Sequence, residues 1–351
     1  MVKIDLKGMD RSEMEQWAIN YGLDAYRGRQ IRQWLFSKMV SSFRNMTNIP
    51  KVIREALEQD AVINNLWKIR TLASNDGTKK YLFRLWDGCV IESVLIPERR
   101  HFTLCISSQV GCAMACRFCL TGKQGFTRNL TPSEIIDQII EVKRSLANPA
   151  DLKNIVFMGM GEPLANYDAV VKAIKNIVGA DGLNFSTRKV TVSTCGLVPN
   201  LIKLGLSDVT VNLAVSLNAT DNKTRSFLMP VNKKYPIEEL IAACREFPLP
   251  NRRMITFEYI LIKDVNDSVG DAYRLCRLLS GMRAKINLIP LNPHLNLDLV
   301  PTPMNEILHF QDILASNNFT AMIRKSKGAD IMAACGQLSG EYLDSTNETF
   351  T

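Results

Sequence analysis

The chain has 351 residues and a net charge of +8 at pH 7, and its 46% hydrophobic and 22% charged residues are typical of a globular protein. No run of eighteen apolar residues predicts a membrane span, and the N-terminus lacks the apolar segment of a secretory signal. Nine cysteines then indicate a reducing compartment, which we expect to be the cytoplasm, and the positive charge suits a polyanionic partner.

The first seventy residues predict three helices. Asp10 and Glu13 match a capping box, and apolar residues then recur at helical spacing through three segments. Between Ala25 and Arg54 stand seven cations and no acid, a pattern that favours contact with RNA or DNA. We therefore expect an N-terminal helical accessory domain over residues 1–68.

The next segment predicts a β-hairpin. Residues 80–86 and 89–96 are two mostly apolar runs, and Asp87-Gly88 between them is a typical two-residue turn. We expect this hairpin to form a bridge over residues 69–97.

Short apolar runs alternate with helical segments from residue 98 to residue 340. Candidate strands lie near residues 102–107, 154–158, 189–193, 209–216, 255–262, 285–289 and 319–323, and candidate helices near 132–147, 166–178, 198–204, 236–247, 269–280 and 304–316. Continuous apolar strands separated by helices predict an α/β domain with a buried parallel sheet. Six such units favour a partial (β/α)6 TIM-like barrel over a flat doubly wound sheet, with ligands at the carboxyl ends of the strands.

Three closely spaced cysteines follow the first strand of this domain. Cys112, Cys116 and Cys119 form a C-x3-C-x2-C motif, and three thiolates can hold three irons of a 4Fe–4S cube. The fourth iron then accepts a ligand with its own donor atoms, as S-adenosylmethionine has. The alternative is a zinc knuckle or a purely structural cluster, although none of the three histidines stands at a zinc-finger offset.

Small polar motifs at the strand ends predict the rest of a binding site for S-adenosylmethionine. Gly161 and Glu162 follow the second strand, where a carboxylate can accept hydrogen bonds from the ligand ammonium group. The other candidates, for the carboxylate, ribose and adenine of this ligand, are Ser193, Ser216, Leu217, Asn218 and Asn292. Taken singly, such residues are more often simple turn formers.

Together these motifs resemble the radical S-adenosylmethionine methyltransferases that methylate adenine in RNA, the family of the RlmN and Cfr enzymes. The likeness runs over nearly the whole chain. The segments that carry it are Cys105-Ile-Ser-Ser-Gln-Val-Gly-Cys112, the cysteine triplet, 122–129, Met158-Gly-Met-Gly-Glu-Pro163, Val192-Ser-Thr-Cys-Gly196, Leu228-Met-Pro230, Pro290-Leu-Asn-Pro293 and 324–337.

The resemblance implies a radical SAM barrel, an RNA-binding role for the N-terminal helices and two reactive thiols. Cys335 matches the cysteine that carries the methyl group, Cys105 matches the cysteine that closes a transient disulfide with it, and Glu92 matches a proton acceptor. Each chain would hold one 4Fe–4S cluster and consume two S-adenosylmethionine molecules per methylation. Without the resemblance, Cys335 reads as a buried free cysteine and Glu92 as an outward strand residue.

The implied reaction is methylation of carbon 2 of an adenosine in 23S ribosomal RNA and of the adenosine beside the anticodon in tRNA. The alternatives are methylation of carbon 8 by a Cfr-like enzyme that confers antibiotic resistance, and an RNA-binding protein whose metal centre is structural. The expected partners are these RNAs and an electron donor such as a flavodoxin or ferredoxin. We expect a monomer that does not bind membranes.

Overall fold

The N-terminal unit is a cluster of three helices closed by a small pair of strands. The structure is a computed structural model that describes residues 3–63, 66–293 and 297–339. The first elements are β1 (Ile4–Asp5), α1 (Arg11–Asn20), α2 (Ala25–Arg32), α3 (Lys51–Asp60) and β2 (Ala61–Val62). β1 and β2 pair in parallel. The predicted capping box of α1 is confirmed, because Asp10 accepts a hydrogen bond from the Glu13 backbone and Glu13 accepts one from the Asp10 backbone.

Three antiparallel strands follow this unit. They are β3 (Leu66–Ala73), β4 (Lys79–Leu85) and β5 (Val90–Pro97). The predicted hairpin at Asp87-Gly88 is confirmed: the Leu85 N–H donates to the Cys89 carbonyl at 2.8 Å, and Gly88 has a φ of +84°. The sequence predicts helices up to about residue 70, but the structure has strands from β2 (Ala61–Val62) onwards, so the last part of this prediction is wrong. β3 is the edge strand of its sheet and is mostly exposed, so it lacks the apolar alternation that identifies a strand.

The cysteine motif lies in a short ribbon that the sequence does not predict. After β6 (Phe102–Cys105), the strands β7 (Gln109–Gly111) and β8 (Phe126–Asn129) pair antiparallel, and α4 (Leu120–Lys123) lies between them. The ribbon brings the two ends of the motif together and thereby fixes the loop that carries it.

Six further strands complete the main sheet. They are β9 (Leu152–Phe157), β10 (Val190–Thr194), β11 (Asn212–Ser216), β12 (Ile255–Leu261), β13 (Ala284–Pro290) and β14 (Thr320–Ile323). The order is β14-β13-β12-β11-β10-β9-β6-β5-β4-β3, and all neighbours from β6 to β14 are parallel. The predicted partial α/β barrel is therefore confirmed, and the hairpin extends its sheet through the antiparallel pairing of β5 with β6.

Helices cover the outer face of the parallel strands. They are α5 (Pro132–Ser145), α6 (Tyr167–Val178), α7 (Val198–Gly205), the short α8 (Asn222–Leu228), α9 (Ile237–Glu246), α10 (Val269–Leu279) and α11 (Met304–Ser316). Side chains alternate along each strand, so Val190 and Val192 are fully buried against helices while Thr191 and Ser193 face the barrel interior. Among the described residues, no helix has the length and apolar character needed to cross a lipid bilayer.

Buried polar contacts attach the N-terminal unit to α5 and α6. Lys7 forms an ion pair with Asp137, and both side chains are fully buried. Arg32 donates to Asp181 on the one side and to Asn176 on the other, each at 3.0 Å. Arg32 therefore holds the unit in place and is not available to an RNA, contrary to the expectation for this cation.

Candidate active site

Alternate residues of the parallel strands line a cavity of about 550 Å³ inside the barrel. The strand residues that line it include Thr103, Cys105, Asn154, Val156, Thr191, Ala214, Thr256, Glu258, Lys285 and Asn287. The chain that follows β14 covers the cavity with residues 324–327 and 333–335. Cys105 and Cys335, which are 230 residues apart in the sequence, thus line the same cavity.

The two thiols of the cavity differ in exposure. Cys105 is buried on β6, whereas Cys335 is exposed to the cavity. Protein surrounds the cavity, so poor solvation raises the pKa of Cys335 to about 11, and the nearby Glu258 carboxylate adds to the shift. Burial and the neighbouring Cys335 raise the pKa of Cys105 as well. Both groups are therefore neutral thiols at pH 7, and either must lose its proton before it reacts as a nucleophile.

The segment that carries Cys335, here named the thiol loop (residues 328–338), contacts the cysteine motif directly. The Leu120 N–H donates to the Gly336 carbonyl at 2.7 Å. Gly336 has a φ of +84°, and a Cβ there would lie 2.9 Å from the Phe118 carbonyl oxygen, so this close approach requires glycine. Asn292 donates to the Cys335 carbonyl at 3.0 Å. Asn292, predicted to contact the ligand adenine, thus also fixes the thiol loop.

Glu92 lies behind this loop. The carboxylate is 1% exposed and lies 3.2 Å from Lys80 Nζ, and the same ammonium donates to the Met332 carbonyl at 3.1 Å. The interpretation of Glu92 as an outward strand residue is therefore wrong. Within the described part of the chain, Glu92 does not line the cavity, and Lys80 connects it to the thiol loop.

The three motif cysteines lie on the loop between β7 and α4. Burial raises the pKa of all three thiols, that of Cys112 to about 12, and their mutual proximity adds to the shift for Cys112 and Cys116. Among the described residues, no three His, Cys, Asp or Glu side chains converge on one point where a single metal ion could sit. An iron–sulfur cube presents a separate iron to each thiolate, so three thiolates on one loop suit it. The donor set therefore fits the cube.

The Gly-Glu motif after β9 packs against β7. Glu162 accepts hydrogen bonds from the backbone N–H groups of Leu164 at 3.0 Å and Cys195 at 2.8 Å. Its own N–H donates to Gln109 Oε1 at 2.8 Å. Gly161 has a φ of +97°, and a Cβ there would lie 2.5 Å from the Gln109 side chain. The glycine therefore permits the contact between two loops, and each Glu162 oxygen retains lone-pair capacity for a ligand ammonium.

The predicted residues at the ends of β10 and β11 are held by an arginine that sequence reasoning missed. Arg225 is fully buried and donates to the carbonyls of Cys195, Ser216 and Leu217 at 2.7, 3.2 and 3.0 Å. Ser193 is the penultimate residue of β10 and Ser216 is the last residue of β11, and both lie on the interior side of the barrel. Proximity to the Leu228-Met-Pro230 motif is the one sequence signal that pointed to this arginine.

Asn218 has a structural role in this region. Its φ is +57°, its Oδ1 accepts from the Ile260 N–H at 2.9 Å, and its Nδ2 donates to Met229 Sδ at 3.3 Å. These contacts fix the turn after β11 and leave little of the side chain for a ligand. The backbone is engaged as well, because the Asn218 N–H donates to the Glu258 carbonyl at 3.4 Å and the Asn218 carbonyl accepts from Asn266 Nδ2 at 2.8 Å.

The basic clusters of the sequence have different surroundings in space. Several cations of the Ala25–Arg54 window pair with acids outside that window: Arg29 with Glu15, Arg32 with Asp181, and Arg44 with Glu58. The cations that line the cavity are Arg188, Lys189, Lys285, Arg324, Lys325 and Lys327. The strongest positive charge beside the reactive thiols therefore comes from the barrel and the segment after β14.

Comparison with known proteins identifies the family. Residues 4–63 match the family model of the ribosomal RNA large subunit methyltransferase N-terminal domain, and residues 106–276 match the radical SAM superfamily. Two similar proteins, both named dual-specificity RNA methyltransferase RlmN, come from Desulfosudis oleivorans (54% identical, covering 96% of this chain and 91% of that protein) and Geobacter sulfurreducens (52% identical, covering 98% of each). The chain belongs to the RlmN family.

A solved structure agrees with this assignment. The crystal structure of a radical SAM methyltransferase from Sphaerobacter thermophilus is 42% identical, covers 96% of this chain and 100% of its own, and has a TM-score of 0.92. Membership of the RlmN family brings a 4Fe–4S cluster and S-adenosylmethionine as cofactors, as the sequence predicts. The individual roles of the site residues stay predictions.

Proposed function

We propose that this protein methylates carbon 2 of an adenosine in 23S ribosomal RNA and of the adenosine beside the anticodon in tRNA. The observation that carries the proposal is that two thiols, those of Cys105 and Cys335, line the same barrel cavity. The hydrogen bond from Leu120 to Gly336 sets Cys335 beside the loop of Cys112, Cys116 and Cys119. These three cysteines would hold the cluster.

The chain's own residues would act in order. Cys335 gives up its thiol proton and accepts a methyl group on sulfur, which makes the protein itself the first methyl acceptor. When bound, the cluster and S-adenosylmethionine supply a hydrogen-abstracting radical. With the carbon joined to the adenine, Cys105 would take the ring proton while one electron returns from the adduct to the cofactor system that supplied it. Cys105, as a thiolate again, would then attack the Cys335 sulfur, so that the disulfide forms as the sulfur–carbon bond breaks, and the freed carbon would take up a proton to complete the methyl group. Glu92 is proposed as a further proton acceptor, and Gly161, Glu162, Ser193, Ser216, Leu217, Asn218 and Asn292 as the cofactor-binding residues.

Radical chemistry suits this target. The ring carbon of adenine is not nucleophilic, so direct transfer of a methyl cation to it fails. A carbon held on Cys335 inside the cavity is already positioned against its target, which removes most of the entropic cost of bringing two reactants together.

RNA binding would use two surfaces. The six cations of the cavity suit the phosphates beside the target nucleotide. The helical unit over residues 1–68 would contact the RNA further away, joined through the bridge 69–97 to the catalytic domain 98–340. The proposal also includes a flavodoxin or ferredoxin as electron donor. The protein would act on these RNAs as a monomer in the cytoplasm.

The test compares total RNA from cells with and without this protein. Mass spectrometry of RNA digests should show 2-methyladenosine only when the protein is present. Methylation of carbon 8 with carbon 2 untouched would overturn the proposal in favour of the Cfr-like reaction. A protein that, reduced without oxygen, cleaves no S-adenosylmethionine would instead support a purely structural metal centre.

A further inference from the structure

A buried carboxylate and a buried amide form a pair in the middle of the cavity. Glu258 on β12 and Asn287 on β13 are register partners and both face the barrel interior. They are only 7% and 8% exposed, and Asn287 Nδ2 donates to Glu258 Oε1 at 2.9 Å. Sequence reasoning missed both residues, because each stands inside a strand rather than at its end.

The pair leaves an acceptor unused. Asn287 Oδ1 is buried and has no hydrogen-bond partner among the described residues. The Asn287 amide has only one possible orientation, because its nitrogen can donate to the Glu258 carboxylate whereas its oxygen, an acceptor, could not bond to that carboxylate. Buried polar atoms in native proteins nearly always find a partner, so an orphaned one in a cavity wall indicates a ligand. The missing partner must be a hydrogen-bond donor.

The position of the pair identifies which ligand it faces. The cavity contains both reactive thiols, Cys105 and Cys335, together with Glu258 and Asn287. The Glu258 carboxylate is close enough to Cys335 to raise the pKa of that thiol. Among the described residues, the motif cysteines and the cofactor residues predicted at the ends of β9, β10 and β11 do not line this space, although Asn292, predicted to contact the cofactor adenine, does. The pair shares its space with both thiols proposed to act on the target base, which favours the molecule that receives the methyl group over the cofactor as its ligand.

We propose that Glu258 and Asn287 form a subsite for the exocyclic amino group of the target adenine. This inference rests on the proposed function. An amino group has two N–H donors, which matches the Asn287 oxygen and the neighbouring carboxylate. Guanine and hypoxanthine carry a keto oxygen at the same ring position, and two acceptors facing it would repel that oxygen. The subsite thus selects adenine.

The charge of the subsite supports this assignment. Burial raises the pKa of Glu258 to about 7, while Asn287, Arg324 and Lys285 counteract the shift. About half of the Glu258 carboxyl groups are therefore ionised at pH 7, and the ionised form can only accept hydrogen bonds. A donor-bearing ligand is therefore favoured over a keto-bearing one.

The experiment measures base discrimination rather than activity alone. Defined RNA substrates carry adenine or purine, which lacks the amino group, at the target position. kcat/KM for both is measured with the wild type, Glu258→Gln, Asn287→Leu and Asn287→Asp. The wild type should prefer adenine by at least about 100-fold, because a site built to bind an amino group rejects analogues without it. Each variant should reduce that ratio at least about tenfold.

Comparing ratios between enzymes cancels the intrinsic difference in reactivity between adenine and purine. Glu239→Gln on the exposed surface of α9 removes the same charge elsewhere and should leave the ratio unchanged. Methylation of Cys335, measured by mass spectrometry, reports on folding. The affinity for S-adenosylmethionine, measured by calorimetry, shows whether the adenine of this cofactor fills the subsite instead. The affinity should match the wild type in all variants, and Cys335 should become fully methylated in each of them, although its rate of methylation can change in Glu258→Gln because the Glu258 carboxylate raises the pKa of Cys335.

Three results would overturn the inference. The first is a wild-type preference below tenfold, which needs no variant and so does not depend on folding. The second is an unchanged ratio in Glu258→Gln and Asn287→Leu. The third is a loss confined to S-adenosylmethionine affinity, which would assign the subsite to the cofactor. A wild type that methylates Cys335 but neither RNA would instead remove the proposed function, and with it this inference.

Discussion

Lys80 is the residue whose replacement gives the most direct measure of how the thiol loop is held. Its ammonium contacts the Glu92 carboxylate and the Met332 carbonyl, and its side chain and that of Glu92 are 7% and 1% exposed. Lys80→Met removes the charge and keeps most of the volume. The neighbouring Lys79 faces solvent on the same strand, so Lys79→Met is a matched control.

The magnitude follows from the burial of the pair. Removing one partner of a buried ion pair typically destabilises a protein by about 3–5 kcal/mol, and solvent screening is negligible here. The remaining carboxylate can escape by taking up a proton, which for an ordinary carboxylic acid costs about 3.7 kcal/mol at pH 7 and about 1 kcal/mol at pH 5. The lost hydrogen bond to Met332 adds about 1 kcal/mol. We expect a loss of about 4–5 kcal/mol at pH 7 and about 2 kcal/mol at pH 5.

Urea unfolding of the anaerobically purified protein, followed by tryptophan fluorescence at both pH values, measures this loss. Mass spectrometry of Cys335 in the same samples should show slower methylation in Lys80→Met, because the loop has lost an anchor. Lys79→Met should resemble the wild type within about 0.5 kcal/mol. A loss below about 1 kcal/mol at pH 7, or an equal loss at both pH values, would refute the reasoning.

Four further outcomes are expected. Cys119→Ala should abolish cluster binding, measured as iron and sulfide content, and all turnover. Cys105→Ala should stall the enzyme covalently joined to its RNA, which denaturing gels detect; normal release of methylated RNA would contradict the assigned role. Gly161→Ala forces a positive φ on alanine and a clash with Gln109, so we expect a stability loss of at least about 1 kcal/mol and weaker S-adenosylmethionine binding by calorimetry. Because burial raises the pKa of Glu258 from 4.5 to about 7, the folded state binds its proton more tightly than the unfolded state. Stability should therefore fall by about 3 kcal/mol between pH 4.5 and pH 7 through this group, and Glu258→Gln should remove that part of the slope in urea titrations.

The sequence predicts those elements that have a strong local signature. Apolar runs such as residues 154–158 and 285–289 identify buried parallel strands, because both faces of such strands are covered. The cysteine triplet is recognisable because cofactor chemistry restricts residue type and spacing, whereas the role of Cys335 is suggested only by the family resemblance. The capping box at Asp10 depends on only four neighbouring residues.

Other features depend on contacts between distant segments, which a single sequence does not reveal. β3 is a strand because β4 pairs with it, and its own side chains are mostly exposed and polar. Arg32 appears as one more cation of a basic window, yet Asp181 neutralises it from 149 positions away. Glu258 and Asn287 meet across two strands, and their isolation from solvent appears only when the barrel forms.

The sulfur proposed to carry the methyl group, that of Cys335, lies in the last described segment, after the final strand of the sheet. A chain that ended beyond β14 but before Cys335 would retain the barrel wall and all three motif cysteines, yet would have no place to store a methyl group. During synthesis the same order holds, since every strand leaves the ribosome before the thiol loop does. The proposed capacity to alter RNA therefore depends on a segment that is synthesised after the whole sheet, and a premature stop codon between the end of β14 and Cys335 would remove it.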